Sequence, residues 1–329
     1  MNEKNIDHGI DKNMNLERDI RNAEIIFKNP GKKRIQEDDF KDIFDEKEIE
    51  SDKTFINRVQ DKFASQLEQF DGEELKKIHE GEKRSEVLEI IIASDGERYH
   101  WTGKNTRFSL TAKFDDIVNG IDILLEFFEE TTGGQNNIDK IALGVDASRS
   151  TDTYTLARKI ERNVEKLLNK NGKKLPELKY YKSAVNENIK GSLTAVIPVV
   201  IGLDTKHVNE LMRLCATSRG FRNPKTQQEY KEMGIDYERR QNEVEEKLLK
   251  HPAQIVFYRQ ITAQLVYYLK LLKNENRPNN SLIKQCEQEI NSILKKLEKI
   301  KETKRNIPID DYASDEVLKT IEGITSKPL

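Results

Sequence analysis

The sequence predicts an α/β fold, with a small mixed sheet flanked by helices and a C-terminal antiparallel helical hairpin. The first supporting observation is the order of dense apolar runs between about residues 82 and 219, which reads helix, two to four strands, helix, strand, strand, helix. The second is that strand-like runs stop after residue 219, where apolar side chains recur at spacings of three and four residues. These patterns predict an α/β domain over residues 51–219 and a helical extension over 220–306.

The two ends of the chain carry mostly charge. Residues 1–50 hold ten Lys or Arg and fourteen Asp or Glu with few apolar side chains, which predicts a disordered or loosely helical N-terminal arm. Residues 307–329 are interpreted as an acidic tail. After the arm, an amphipathic helix that packs on the core or binds a partner is predicted by apolar residues spaced four apart, Phe55, Val59, Phe63 and Leu67.

The central elements are predicted from short stretches of sequence. We expect a helix in SEVLEIIIA, a short strand and loop in GERYHWTGKNTRFSLTAKF, and a hairpin of buried strands in GIDILLEFF and KIALGVDAS. A helix follows in TDTYTLARKIERNVEKLLNKNG, with Thr151 or Asp152 as its cap and Gly172 as its terminator. Two strands, LKYYKSAV and AVIPVVIGL, and a helix, TKHVNELMRLCATS, complete the predicted domain.

The extension is predicted to fold back on itself as a coiled-coil hairpin. Two heptad helices flank the breaker-rich loop NENRPNN, and a loop this short makes them run antiparallel. Residues 241–306 hold thirteen basic and eight acidic side chains, so the hairpin suits a protein partner, self-association or contact with nucleic acid. The predicted seam consists of Ile255, Tyr258, Thr262, Leu265, Leu269 and Leu272, followed by Ile283, Cys286, Ile290, Ile293, Leu297 and Ile300.

Composition excludes several classes of protein. No apolar run approaches the roughly 18 residues of a membrane span, and the N-terminus lacks the apolar stretch of a signal peptide. Two cysteines cannot form a disulfide framework, so we expect a cytoplasmic protein without a membrane partner. With 56 Lys or Arg against 58 Asp or Glu, the chain is not a uniformly basic nucleic-acid binder.

Two aspartates in the predicted hairpin are the main candidates for chemistry. Asp122 opens the first strand and Asp146 lies near the end of the second. Burying both beside Ile, Leu and Phe costs several kcal/mol unless something compensates. A divalent cation between the strands would compensate, since Mg²⁺ prefers a few carboxylates plus water and phosphate oxygens. The alternative is that both acids lie hydrated at strand ends or accept hydrogen bonds from loop amides.

This arrangement resembles the PD-(D/E)XK nuclease superfamily over roughly residues 80–215. Members place an acidic helix before a small sheet, an Asp at the opening of one strand and an acid-x-Lys at the close of the next. The matching residues here are Glu86 (or Glu89), Asp122 and Asp146. The resemblance implies a restriction-endonuclease-like fold in which these acids hold Mg²⁺, or Mn²⁺, for phosphodiester hydrolysis in nucleic acid, DNA more readily than RNA.

The sequence departs from this pattern at Ser148, where the motif expects Lys. Some members take the Lys from a neighbouring element, and Lys182 is our candidate for the catalytic amine, with Lys179 second. These two lysines are three residues apart in a predicted strand, so at most one can point into the site.

Other interpretations remain open at this stage. A nuclease fold without activity could serve as a module that binds nucleic acid or protein, and a ribonuclease-H-like metal site could use Asp204 as a further acid. The predicted contacts to substrate are Arg149, Arg158 and Lys159 for the phosphate backbone and Trp101, with Tyr99 and His100, for a stacked base.

Overall fold

A four-stranded mixed sheet lies at the centre of the protein. The strands are β1 (Thr106–Leu110), β2 (Ile123–Glu130), β3 (Asn136–Ser148), β4 (Leu178–Lys182), β5 (Lys190–Leu193) and β6 (Ile197–Gly202). Strands β1, β2 and β3 form an antiparallel meander in the central sheet, and β6 lies beside β3 and runs parallel to it. Strands β4 and β5 form a separate antiparallel pair.

α-Helices, a short 3₁₀ helix (Glu37–Phe40) and a π-helical turn (Ile92–Gly96) surround this sheet in the part of the chain that the computed structural model describes, which is residues 18–130, 136–148, 153–168, 175–194, 196–222, 224–234, 236–274, 281–301, 318, 319, 321 and 323. The predicted mixed α/β class is confirmed. The helices are α1 (18–28), α2 (Glu46–Leu67), α3 (Gly72–Ile91), α4 (Lys113–Asn119), α5 (Thr153–Leu167), α6 (Thr205–Phe221), α7 (Pro224–Glu232), α8 (Tyr237–Leu249), α9 (Ala253–Asn274) and α10 (Ser281–Lys301).

The predicted hairpin of β2 and β3 is confirmed. Ile123 pairs with Val145 and Leu125 pairs with Leu143, both of them pairs of buried side chains. Residues 131–135, in the predicted turn, lie outside the described residues, as do the predicted cap positions and terminator of α5. The chain passes through α5, β4 and β5 between β3 and β6, because parallel neighbours need a crossover that returns the chain to the same end of the sheet.

Helix α9 is a core helix and not only one side of a hairpin. It contacts α10, as predicted. However, Val256, Phe257 and Ile261, which lie outside the predicted seam, are fully buried in the core that includes the sheet. A helix that is apolar on several sides belongs inside a protein. The predicted extension therefore shares its core with the α/β domain.

Two glutamines of α9 cover the exposed edge of β6. The Gln264 amide accepts a hydrogen bond from Val200 N at 2.9 Å and donates one to Val200 O at 2.7 Å. One turn earlier, Gln260 makes the same pair of bonds to Gly202, both 2.8 Å long. Spacings of four residues in a helix and two in a strand are similar lengths, so the side chains replace a missing neighbouring strand.

Replacing Gln264 by Leu is expected to lower the free energy of unfolding by about 2–4 kcal/mol, because it leaves the buried N–H and C=O of Val200 without partners. Denaturant titration measures the loss. The matched control is Gln285→Leu on α10, where Gln285 bonds only to Glu289 at the surface and the change should stay within about 0.5 kcal/mol. Equal effects of the two substitutions would show that Gln264 has no role at the edge.

The N-terminal segment differs from the loosely attached arm that we expected. Within residues 18–50, Ile26, Phe40 and Ile49 are fully buried. Ile35 N donates to Leu110 O at 3.2 Å, so the segment follows the free edge of β1. Its apolar residues are few, but several of them are buried in the protein. Residues 1–17 and most of the predicted acidic tail lie outside the described residues, although Ile321 of that tail is buried.

Helix length and hydropathy bear on membrane insertion. Among the helices of the described part of the chain, none is long and apolar enough to cross a membrane.

Candidate functional site

Asp122 and Asp146 come from neighbouring strands and are both buried. Asp122 directly precedes β2, and its N–H donates to Val145 O at 2.9 Å. Its side-chain Oδ2 accepts a hydrogen bond from Ala147 N at 2.7 Å, which fixes the carboxyl group beside the end of β3. The exposed fractions are 8% for Asp122 and 7% for Asp146. The structure thus brings together the two acids that the sequence singled out.

Gly144 and Gly120 allow neighbouring segments of the chain to pack closely around the two aspartates. A Cβ atom at Gly144 would lie 2.6 Å from Ile121 Cδ1 and 2.9 Å from Val196 Cγ1. Only glycine therefore allows Ile121 to pack across β3, and this packing places Asp122 at the start of β2. Gly120 ends α4 with a positive φ of 66°, and a Cβ there would lie 2.9 Å from Arg162 Nη2.

The Asp122 carboxyl group lies among other acids. Burial raises its pKa well above the usual value, and the negative charges of Glu89, Asp146 and Asp116 raise it further. The hydrogen bond from Ala147 N acts in the opposite direction but does not offset these effects. A charged Asp122 is therefore unfavourable in this site unless a cation joins it.

Glu89, and not Glu86, is the acid of α3 that lies near Asp122. Arg34 Nη2 contacts Glu89 Oε2 at 2.5 Å and ties the N-terminal segment to the site. The pKa of Glu89 is raised to about 7, mainly by burial and also by the negative charge of Asp116, although the positive charge of Arg34 acts in the opposite direction. Glu86 is exposed. Its negative charge helps to raise the pKa of Glu89, but it is not among the acids that raise the pKa of Asp122.

The amine at the site comes from α5. Lys159 Nζ lies 2.7 Å from Asp146 Oδ1, and Arg162 Nη2 lies 3.3 Å from Asp146 Oδ2. The sequence predicts Lys159 as a contact to the substrate backbone, and it predicts the displaced Lys in a strand and not in this helix. The sequence does contain an indication that Lys159 lies close to the core. It directly precedes Ile160, a member of the apolar stripe by which α5 packs on the core.

The structure does not bring Lys182 or Lys179 to these carboxylates. Lys182 ends β4 opposite Lys190 of β5, and in the described part of the chain neither Asp122 nor Asp146 pairs with it. Lys179 Nζ instead binds Glu48 at 2.6 Å and Asp52 at 2.5 Å. Strands β4 and β5 form their own sheet, which is why a lysine there does not reach the end of β3.

The structure gives the remaining candidates other roles. Asp204 caps α6 by accepting a hydrogen bond from His207 N at 2.8 Å, so it is not placed as a third acid for a ribonuclease-H-like site. Trp101 is only 1% exposed and packs edge-to-face on Phe257, so its ring cannot stack on a base. The Tyr99 hydroxyl donates to Glu245 at 2.5 Å. Arg149 lies outside the described residues.

An open cleft of about 1060 Å³ leads from solvent towards Glu89 and Ser148. It lies between α3, the N-terminal segment and the start of α4. Charged side chains of both signs line its walls, with four acids against three bases. The basic residues that line it are Arg34, Lys77 and Lys113, and the acidic residues are Glu37, Glu82, Glu86 and Glu89.

The site provides only a small number of ligands for a cation. Within the described ranges, no group of three or more His, Cys, Asp or Glu is arranged to hold a metal ion. Mg²⁺ is, however, commonly held by one or two carboxylates together with water and substrate phosphate. Asp122 and Asp146 provide that number, and the raised pKa of Asp122 shows that positive charge is favoured beside it. Asp146 would have to release one of its two cationic partners.

The fold and the site together define a mixed α/β protein in which a buried pair of carboxylates joins two antiparallel strands. The chain was compared with protein-family models, with curated proteins and with solved structures, and none of them matched it. A function therefore follows from its own residues, above all from Asp122, Asp146 and Lys159.

Proposed function

We propose that the protein is a metal-dependent phosphodiesterase of the PD-(D/E)XK type that acts on nucleic acid. The observation that carries this proposal is the position of Lys159 Nζ, 2.7 Å from the buried Asp146, whose negative charge in turn acts on Asp122. A carboxylate pair accompanied by one amine is the set of groups that the motif requires. In this chain the amine comes from α5 and not from the position of Ser148.

The order of elements supports the proposal. The resemblance calls for an acidic helix, a strand opened by Asp, a strand closed by a second acid, then a helix and another strand. Here α3 carries Glu86 and Glu89, Asp122 precedes β2, Asp146 lies near the end of β3, and α5 follows, with the separate pair β4 and β5 coming before β6. Strand β6 is parallel to β3, so α5 packs beside the end of the strand that carries Asp146.

Each residue then has a defined task in phosphodiester hydrolysis. Asp122 and Asp146 would hold Mg²⁺ or Mn²⁺. Such a cation polarises the phosphate and lowers the pKa of a bound water. The Lys159 ammonium group would donate hydrogen bonds to phosphate oxygens, where negative charge accumulates as water attacks phosphorus and the ester oxygen leaves. Arg34 keeps Glu89 in place beside Asp122.

A cleavage assay with labelled DNA and RNA tests this proposal. Cleavage should require Mg²⁺ or Mn²⁺, stop when EDTA is added and resume when the cation is in excess, because the acids alone cannot polarise the phosphate. A contaminating nuclease is excluded if substitutions at Asp122 and Lys159 reduce the cleavage. Cleavage that continues in EDTA would contradict the proposal.

The second candidate is a non-catalytic module of the same fold that binds nucleic acid or protein. It is favoured by the two ion pairs of Asp146, since Lys159 and Arg162 already provide the positive charge that a cation would bring. In that case Mg²⁺ should not change the thermal unfolding temperature at pH 8, where the carboxyl groups bind cations best. An increase in that temperature with Mg²⁺ would favour the enzyme.

A further inference from the structure

Helix α5 has an exposed line of side chains that we call the α5 stripe, consisting of Tyr154, Arg158 and Arg162. The three residues are spaced four apart and so lie on one side of the helix. Tyr154 is 68% exposed, and the guanidinium of Arg158 lies 5.7 Å from the centroid of its ring. An aromatic ring and two cations are thus aligned on the surface.

The α5 stripe leads directly to the carboxylate pair. Arg162 contacts Asp146 through Nη2 and still has other N–H groups available for a ligand. Tyr154 lies in the first turn of the helix, eight residues earlier, which is about 12 Å along the axis. A ligand lying along the stripe would therefore reach Asp146 with one end.

We propose that the α5 stripe binds single-stranded nucleic acid, with an unpaired base stacked on Tyr154 and phosphates held by Arg158 and Arg162. This inference rests on the proposed function and names its substrate class. An exposed aromatic ring can stack only on a base that is not already stacked in a duplex, and exposed aromatics combined with cations are typical of single-strand binding. The arginine fork matches the oxygens of a phosphate.

The distribution of charge favours binding of nucleic acid along α5 over binding along α2 and α3. Residues 46–91, which include the cleft side of α3, carry thirteen Asp or Glu and eight Lys or Arg. Helix α5, in contrast, carries four Lys or Arg and two Asp or Glu. Helices α2 and α3 are thus net negative and α5 is net positive, so approach of a phosphate backbone to Asp146 is more favourable along α5.

Fluorescence anisotropy of the full chain tests the proposal in EDTA, so that no cleavage interferes. Tyr154→Ala should weaken binding of a labelled single strand by roughly 5- to 150-fold, the range for loss of one stacked base. Tyr154→Phe keeps the ring and should stay within about twofold of the wild type. Phe63→Ala, which removes a 44% exposed aromatic ring from α2, is the matched control and should have no effect. A duplex of the same sequence should bind more weakly.

The salt dependence of binding tests the two arginines. Substituting both Arg158 and Arg162 by Ala should reduce the slope of log Kd against log salt concentration by about 1.4, or about 0.7 for each phosphate that the variant no longer neutralises. Arg239→Ala is the control, because Arg239 is an exposed arginine of α8 that pairs with Glu243. Its slope should equal that of the wild type.

Three results would overturn the proposal: no binding of single strands, tighter binding of the duplex, or equal affinity of the Tyr154→Ala and Phe63→Ala variants. These results are distinct from failure of the proposed hydrolysis. A protein that cleaves with Mg²⁺ but binds without regard to Tyr154 loses only this inference. A protein that binds single strands through Tyr154 and never cleaves loses only the hydrolysis.

Discussion

Replacing Lys159 by Met is expected to lower kcat for phosphodiester cleavage by about 100- to 1000-fold, the usual effect of removing one group that stabilises transition-state charge. Lys159 is the only lysine that pairs with Asp146 in the described part of the chain. Met has a similar length and keeps the apolar packing of the side chain while removing the ammonium group. Steady-state kinetics with a labelled oligonucleotide measures the change.

Lys182→Met is the matched control, since it removes the lysine that the sequence favoured and should leave kcat within about twofold. Lys159→Arg separates a structural role from a catalytic one. If Lys159 only neutralises Asp146, Arg should restore activity fully, because it keeps that ion pair. If the compact ammonium group acts on the phosphate, Arg should restore the unfolding temperature but not kcat. A large loss of kcat in Lys182→Met, together with a normal kcat in Lys159→Met, would instead assign the catalytic amine to Lys182 of β4.

The mixed α/β class and the position of the acid pair could be predicted because their signals are local. The strands around Asp122 and Asp146 are dense apolar runs separated by a turn-rich stretch, and a hairpin between them needs no distant contact. The amine could not be found in this way. Lys159 lies 13 residues after Asp146, and only the packing of α5 against β6 brings the two together.

The burial of α9 and of the N-terminal segment was missed for a related reason. One apolar stripe on α9 fits a heptad seam, but the glutamines at positions 260 and 264 are polar and do not suggest burial until β6 is placed beside them. Arg34 reaches Glu89 across 55 residues of sequence. Such contacts depend on tertiary geometry, so neither the spacing of residues in the sequence nor the composition of the chain predicts them.

Replacing Asp122 by Asn is expected to stabilise the protein at pH 8 while lowering the cleavage rate by about 100-fold or more. The pKa of Asp122 is raised in the folded state, so the folded protein binds a proton more tightly than the unfolded chain does. The resulting stability is fully present below the unfolded pKa near 3.8 and is lost as the pH rises through the folded pKa. Asn removes that loss and can still accept the hydrogen bond from Ala147 N.

The expected gain for Asp122→Asn at pH 8 is about 1 kcal/mol, or roughly 2 °C in Tm, and it should disappear well below pH 3.8, where Asp122 is protonated in both states. Asp38→Asn is the control of opposite sign, because Lys53 and Lys41 lower the pKa of Asp38 and its charge is favourable at pH 8. Mg²⁺ should then stabilise the wild type and not the Asp122→Asn variant. Lower stability of that variant at pH 8 would mean that a cationic partner already balances Asp122, and the case for a metal at this carboxylate pair would fail.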